Sequence, residues 1–153
     1  MTALLSPDPD FWAVLVPELS VRDITASRAF YVDVLGFAVK FERPEDNFIY
    51  LEMGQAQIML EQIDDTPGGT WKTAPLDPPL GRGVNFQIEV QDATTLCDRV
   101  VAAGHALFRP LATAWYRDGD IENGQTEFLV QDPDGYLLRF MQHLGTRPVQ
   151  GHP

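Results

Sequence analysis

The 153-residue chain is short of the residues that build metal centres and disulfides, with one cysteine, Cys97, and three histidines. A single thiol excludes an intramolecular disulfide and any centre made of several thiolates. Basic residues are scarce as well: eleven Lys and Arg stand against twenty-two Asp and Glu, a net charge of −11. A field of that sign disfavours nucleic acid and anionic membranes and draws cations into any cleft it lines. No apolar run nears the roughly 20 residues that a helix needs to cross a bilayer. The start, Met1 to Asp10, has neither the basic stretch nor the long apolar stretch of a secretory leader, so a cytoplasmic location is expected. Gly-rich phosphate loops, Gly-x-Ser-x-Gly elbows and His-Glu-x-x-His motifs are missing too. Asp118-Gly119-Asp120 is a fragment of a calcium loop without the remaining ligands and reads as a solvated turn.

What is present is a core-forming composition, 44% aliphatic and aromatic, organised as an internal repeat. Val21-Arg-Asp23-Ile-Thr25 is echoed by Val90-Gln-Asp92-Ala-Thr94, and Leu35-Gly36-Phe-Ala38 by Ala103-Gly104-His-Ala106. Phe41-Glu-Arg43-Pro44 has its counterpart in Phe108-Arg109-Pro110. Each copy predicts a strand, then a helix capped by Asp23 or Asp92 and stopped at Gly36 or Gly104, then three short strands. The strands are expected at 13–21, 37–42, 48–53 and 57–62, and again at 84–90, 106–109, 126–131 and 136–143, with Asp132-Pro133-Asp134-Gly135 as a tight turn. This predicts an α+β chain of two tandem βαβββ modules, whose mixed sheet forms a cup with the helices outside. The expected divisions are a flexible start (1–11), the modules at 12–64 and 83–144, a Pro/Gly-rich linker (65–82) and a flexible tail (145–153).

Period-two alternation separates two faces. Ile49, Leu51, Met53, Val84, Phe86, Ile88, Val90, Leu138 and Phe140 fall on one, which is expected to pack under the helices. Phe48, Tyr50, Glu52, Met59, Glu61, Asn85, Gln87, Glu89, Arg139 and Met141 fall on the other, polar yet dotted with aromatic and Met side chains, as in the lining of a wet cup. Cys97 lies in the apolar stripe of the second helix and reads as a small buried hydrophobe.

Asp23-(x)6-Phe30-Tyr31-(x)3-Leu35-Gly36-Phe37, with Asp132-Pro-Asp-Gly-Tyr-Leu-Leu-Arg139-Phe, resembles the vicinal oxygen chelate superfamily over about residues 12–144. That superfamily holds glyoxalase I, extradiol dioxygenases, and fosfomycin and bleomycin resistance proteins. Its enzymes hold a divalent metal on the first and last strands of each module. The matching positions here are Val16, Glu61, Asn85 and Arg139, of which Glu61 alone is a good ligand, so neither a metal nor another cofactor is expected. Val16-Pro17, Met59-Leu60-Glu61 and the run from Asp132 to Gln142 resemble the metal-free bleomycin resistance branch. The resemblance implies an acidic cytoplasmic homodimer with an exchanged N-terminal strand, sequestering a cationic, planar antibiotic unchanged. The implied ligand-binding residues are Phe41, Phe48, Tyr50, Met59, Glu61, Asn85, Gln87, Tyr116 and Arg139. Glu61 then serves as partner to Arg139 or to a ligand cation. The branch commonly has a Trp where this chain has Asn123, before Gly124; Trp71 and Trp115 are the nearby substitutes. The alternatives are a metal-dependent lyase or dioxygenase with a degenerate site, and a metal-free acid/base catalyst using Glu61 or Glu52.

Overall fold

The computed structural model describes residues 8–150. They form two compact units: the residues up to Gly83 together with Asp132–Tyr136, and Val84–Gln131 together with residue 137 onward. In the first, β1 (Glu18–Val21) leads through α1 (Ile24–Arg28) to β2 (Ala38–Arg43), β3 (Phe48–Met53) and β4 (Ala56–Gln62). In the second, β5 (Asn85–Glu89) leads through α2 (Ala93–Ala102) to β6 (Leu107–Asp118), β7 (Ile121–Gln131) and β8 (Leu137–Pro148). Each unit contains a four-stranded mixed sheet, in the order β1-β4-β3-β2 and β5-β8-β7-β6. In both, the first strand of the module runs parallel to the last and the other neighbours are antiparallel. The repeat in the sequence is thus a repeat of wiring.

The punctuation falls where the residues predict. Asp23 accepts hydrogen bonds from the Thr25 and Ala26 amides, at 2.9 and 3.2 Å, and Asp92 accepts one from Thr95 at 2.9 Å. Gly36 and Gly104 close the helices with φ of 87° and 86°, a region that costs L residues but not glycine. After Arg28 the first helix widens to π geometry over Ala29–Val34, which lets the successive Phe30 and Tyr31 both be buried. Phe37 joins Tyr31 edge-on at 5.5 Å. Leu51 and Leu60 complete the centre of this core, and Phe128, Val130, Leu138 and Phe140 build the other beside Val100 of α2. Each such side chain contributes about 1.5–3 kcal/mol by burial. Cys97 is buried among them at 5% exposure, and burial holds its thiol above the ordinary range.

Strand lengths differ from the expectation for reasons involving proline. The strand expected at 13–21 begins only at Glu18, because Pro17 has no amide to give a ladder; its carbonyl instead accepts the Met59 amide at 2.9 Å. Pro110, which suggested an end at 109, lies inside a β6 that runs on to Asp118. β6 is an edge strand with register shifts on both sides of Arg109, where a missing donor is tolerated. β7 starts at Ile121, after the Asp118-Gly119-Asp120 turn, and β8 continues to Pro148, past the Leu144 where a loose tail was expected. The stretch 65–82 has no strand or helix, yet Leu80 in it is buried.

The Asp132-Pro133-Asp134-Gly135 turn, which carries the strongest family resemblance, is a structural wedge of the first unit. Asp132 Oδ1 accepts the Asp134 and Tyr136 amides, both at 2.9 Å, and Oδ2 accepts the Tyr31 hydroxyl at 2.9 Å. Asp134 receives the Arg22 guanidinium at 2.8 Å, its carbonyl accepts the Leu80 amide at 2.7 Å, and the Tyr136 hydroxyl donates to Ser20 at 3.0 Å. Burial pushes the Asp132 carboxyl up to about 6, against the hydrogen bonds that favour its charge.

Candidate functional site

In the first unit a pocket of about 880 Å³ opens beside β3 and β4. Five of the nine expected ligand-binding residues line it: Phe41, Phe48, Tyr50, Met59 and Glu61. The ladder explains the grouping, since Phe48 lies opposite Glu61, and Tyr50 lies between Phe41 and Met59. Six carboxylates line the pocket, from Glu18, Glu45, Asp46, Glu61, Asp64 and Asp65, against the one guanidinium of Arg43. Their summed field makes it a site for positive charge.

Glu18 escaped the sequence reading, because aligning the first strand on metal-site landmarks pointed to Val16 two residues earlier. It opens β1, which runs parallel to β4 with Ser20 opposite Glu61. Burial, followed by a hydrogen bond from the protonated Glu18 to Glu61 and repulsion by Glu61, raises the Glu18 carboxyl above its ordinary range. Two carboxyls in contact favour a shared proton or a bound cation between them. The period-two spacing of Glu18 and Ser20 on one strand was the available signal.

The aromatic side chains are less open than a wet cup requires. Phe48 and Tyr50 are buried, at 4% and 6% exposure, and Phe41 is stacked on Tyr50 at 5.2 Å. The reason lies in the segment just before β1. Trp12 lies edge-on to Tyr50 at 5.3 Å, while Gln57 hydrogen-bonds the Phe11 carbonyl at 3.1 Å and the Ala13 amide at 2.8 Å, tying this segment to the face. Glu52 is also engaged. It is ion-paired with the buried Lys40 at 3.5 Å and receives the Gln57 amide at 3.2 Å, so it is no free base. The Arg43 guanidinium lies 4.0 Å over the Phe48 ring and is held by Asp46 at 2.8 Å. A cation stacked on the pocket's aromatic wall is therefore already part of the structure.

The other four expected residues, Asn85, Gln87, Tyr116 and Arg139, belong to the second unit. There Gln87 pairs with Arg139 along the parallel ladder, and Asn85 and Gln87 are exposed. Glu127 is the hub of this face. It accepts the Tyr116 hydroxyl at 2.6 Å and the Gln125 amide, and has Arg139 Nη1 at 3.9 Å. Hydrogen bonding to Glu127, then burial, raises the Tyr116 hydroxyl above its ordinary range. Arg139 Nε is buried with no hydrogen-bond partner. Trp115 lies opposite Gly124, where its ring leaves no room for a side chain, and Arg147 sits 4.0 Å over that ring.

The four positions matching the superfamily's metal ligands do not fit a divalent ion. Val16 has no donor, Asn85 offers one neutral oxygen, and Arg139 is a cation already beside Glu127. Among the described residues, no three His, Cys, Asp or Glu side chains are grouped so that they could hold a metal ion. His105 follows α2 and His143 is exposed on β8, while His152 lies outside the described residues.

Residues 13–140 match the model of the glyoxalase/bleomycin resistance protein/dioxygenase superfamily, and the chain belongs to that superfamily. It is similar to a bleomycin resistance protein of Geobacillus stearothermophilus, 29% identical over 140 residues, covering 84% of this chain and 96% of the relative. It is also similar to a lactoylglutathione lyase of Haemophilus influenzae, 27% identical over 146 residues, covering 91% of this chain and 98% of that enzyme. The fold is shared with the crystal structure of TioX from Micromonospora sp. ML1, at a TM-score of 0.66 and 22% identity, covering 85% of this chain and 98% of that one. The superfamily thus includes relatives named for resistance and relatives named as enzymes.

Proposed function

We propose that the protein binds and sequesters a cationic, planar small molecule, in the manner of a bleomycin resistance protein. The observation that carries this reading is the pocket of the first unit, where six carboxylates surround an aromatic wall that already holds a guanidinium. Its mechanism is mass action: a ligand held by the Glu18 and Glu61 carboxylates and by stacking is withdrawn from its target, with no bond made or broken. The similarity to relatives named bleomycin resistance protein supports the same class of ligand. Asn85, Gln87, Tyr116 and Arg139 are proposed as ligand-binding residues of the second unit's own face, where Gln87 and Arg139 are adjacent.

A homodimer with an exchanged N-terminal segment, acting in the cytoplasm, belongs to this reading. Trp12, Val14 and Leu15 leave 54%, 107% and 86% of their surface uncovered, an apolar run suited to burial against a second copy. No described helix is long and apolar enough to cross a membrane.

Calorimetric titration with bleomycin, followed by mass spectrometry of the recovered ligand, tests the proposal. Micromolar binding, return of the ligand unaltered, and about tenfold weakening in Glu61→Gln are expected. Absence of binding by any planar cation, or chemical change in the ligand, would overturn it. The second reading, a metal-dependent enzyme, is favoured by the similarity to a lactoylglutathione lyase. It requires stoichiometric metal after purification, which the donor set at Val16, Glu61, Asn85 and Arg139 does not suit.

A further inference from the structure

We propose that Trp71, on the loop after β4, is the wall on which the pocket's ligand stacks, so that the preferred ligand is an aromatic cation rather than a compact ammonium. This rests on the cationic-ligand reading of the pocket. The other rings are committed. Phe48 carries Arg43 at 4.0 Å, Tyr50 is buried with its hydroxyl bonded to Gln57 at 2.9 Å, and Phe41 is stacked on Tyr50. Trp115, in the second unit, is packed on Gly124 beneath Arg147.

Trp71 is different: it lines the acidic pocket and leaves 92% of its surface exposed. The chain on either side of it is held. The Asp64 amide donates to Thr70 Oγ1 at 2.8 Å and the Thr70 amide to the Asp64 carbonyl at 2.9 Å, closing the loop just before the ring. Gly69 sits against Asp64 with no room for a side chain, and Lys72, just after the ring, is ion-paired with Asp65. An indole is the strongest of the protein's π-faces for a cation, and a flat heteroaromatic cation would meet it over a whole face. Ordering the ring on such a ligand would remove apolar surface from water.

The test uses proflavine, a planar aromatic cation, titrated into the full chain and into Trp71→Ala, Trp71→Phe and Trp115→Phe, with tetramethylammonium as a compact competitor. Trp71→Ala is expected to weaken proflavine about tenfold, Trp71→Phe by no more than about threefold, and Trp115→Phe to bind as the parent does. Quenching of indole emission by the bound probe should shrink in Trp71→Phe and persist in Trp115→Phe. Trp71 is exposed, so the thermal midpoint should not move in its variants. If the parent binds proflavine and Trp71→Ala binds it equally well, the stacking role is overturned and the pocket reading stands. If tetramethylammonium competes as well as proflavine binds, the preference for aromatic cations is overturned. If the parent binds neither cation, both the stacking role and the pocket reading fall.

Discussion

The first unit and the second unit use the same strand order, the same parallel pairing of first and last strands, and helix stops with nearly the same φ. Their polar faces share little. On β4 the charged position is Glu61, beside Glu18 and a stack of aromatic rings covered by Trp12. On β8 it is Arg139, beside Glu127, Tyr116 and exposed amides. The backbone wiring rests on caps, left-handed glycines and apolar alternation, which both copies keep. The faces answer only to what they hold, so they are where the copies diverged.

The copies also differ in their last turn. Met53-Gly54-Gln55 is the hairpin turn that joins β3 to β4, whereas Asp132–Tyr136 is wedged into the first unit. Gly135→Ala is the strongest way to break that arrangement. With φ of +101° and a β-carbon that would lie 2.5 Å from that of Pro79, the variant is expected to lose on the order of 3–5 kcal/mol in urea unfolding. Gly104→Ala, strained in φ but surrounded by open space, should lose only about 1–2 kcal/mol. Equal losses would deny the wedge.

Asp132 makes the same contact sensitive to pH. Its carboxyl is raised from 3.8 to about 6, so between those values the folded chain keeps a proton that the unfolded chain has released. The stabilisation is therefore full below the lower value and lost as pH rises through the upper one, on the order of 3 kcal/mol. Melting curves from pH 4 to pH 7 should show this fall in the parent and a flatter profile in Asp132→Asn. Parallel profiles would assign the dependence to another group.

Smaller effects probe the two faces. Arg43→Gln removes the cation resting on Phe48 and is expected to tighten binding of a planar cation about threefold. Unchanged affinity by titration would mean that the ligand does not use that ring. Tyr116→Phe removes one donor from Glu127 and should cost about 0.5–1 kcal/mol by denaturant unfolding.

Fold class was legible because the signals are local and duplicated: Asp23 and Asp92 as caps, Gly36 and Gly104 as stops. Even the echo of Phe41 in Phe108 marks a real feature, since a register shift interrupts β2 and β6 at that point. Strand ends were less legible, because Pro17 shortens a strand whereas Pro110 sits harmlessly on an edge, and sequence does not say which strand is the edge. In the site, alternation found Phe48, Tyr50, Met59 and Glu61, and the resemblance added Phe41, but neither could show that Trp12 folds back against Phe41 and Tyr50. Glu45 and Asp46 reach the pocket from the short 3-10 turn Pro44–Asp46, and Asp64 and Asp65 from the loop after β4, where no strand periodicity announces a direction.

The wedge has a consequence for the order in which the protein can be made. Tyr31 and Arg22 are synthesised about a hundred residues before Asp132 and Asp134, their partners. A growing chain that has released only the first repeat carries a buried-to-be hydroxyl and a guanidinium with nothing yet to receive them. The first repeat would thus complete its core only once the chain has left the ribosome through Tyr136, long after its own last strand has ended at Gln62.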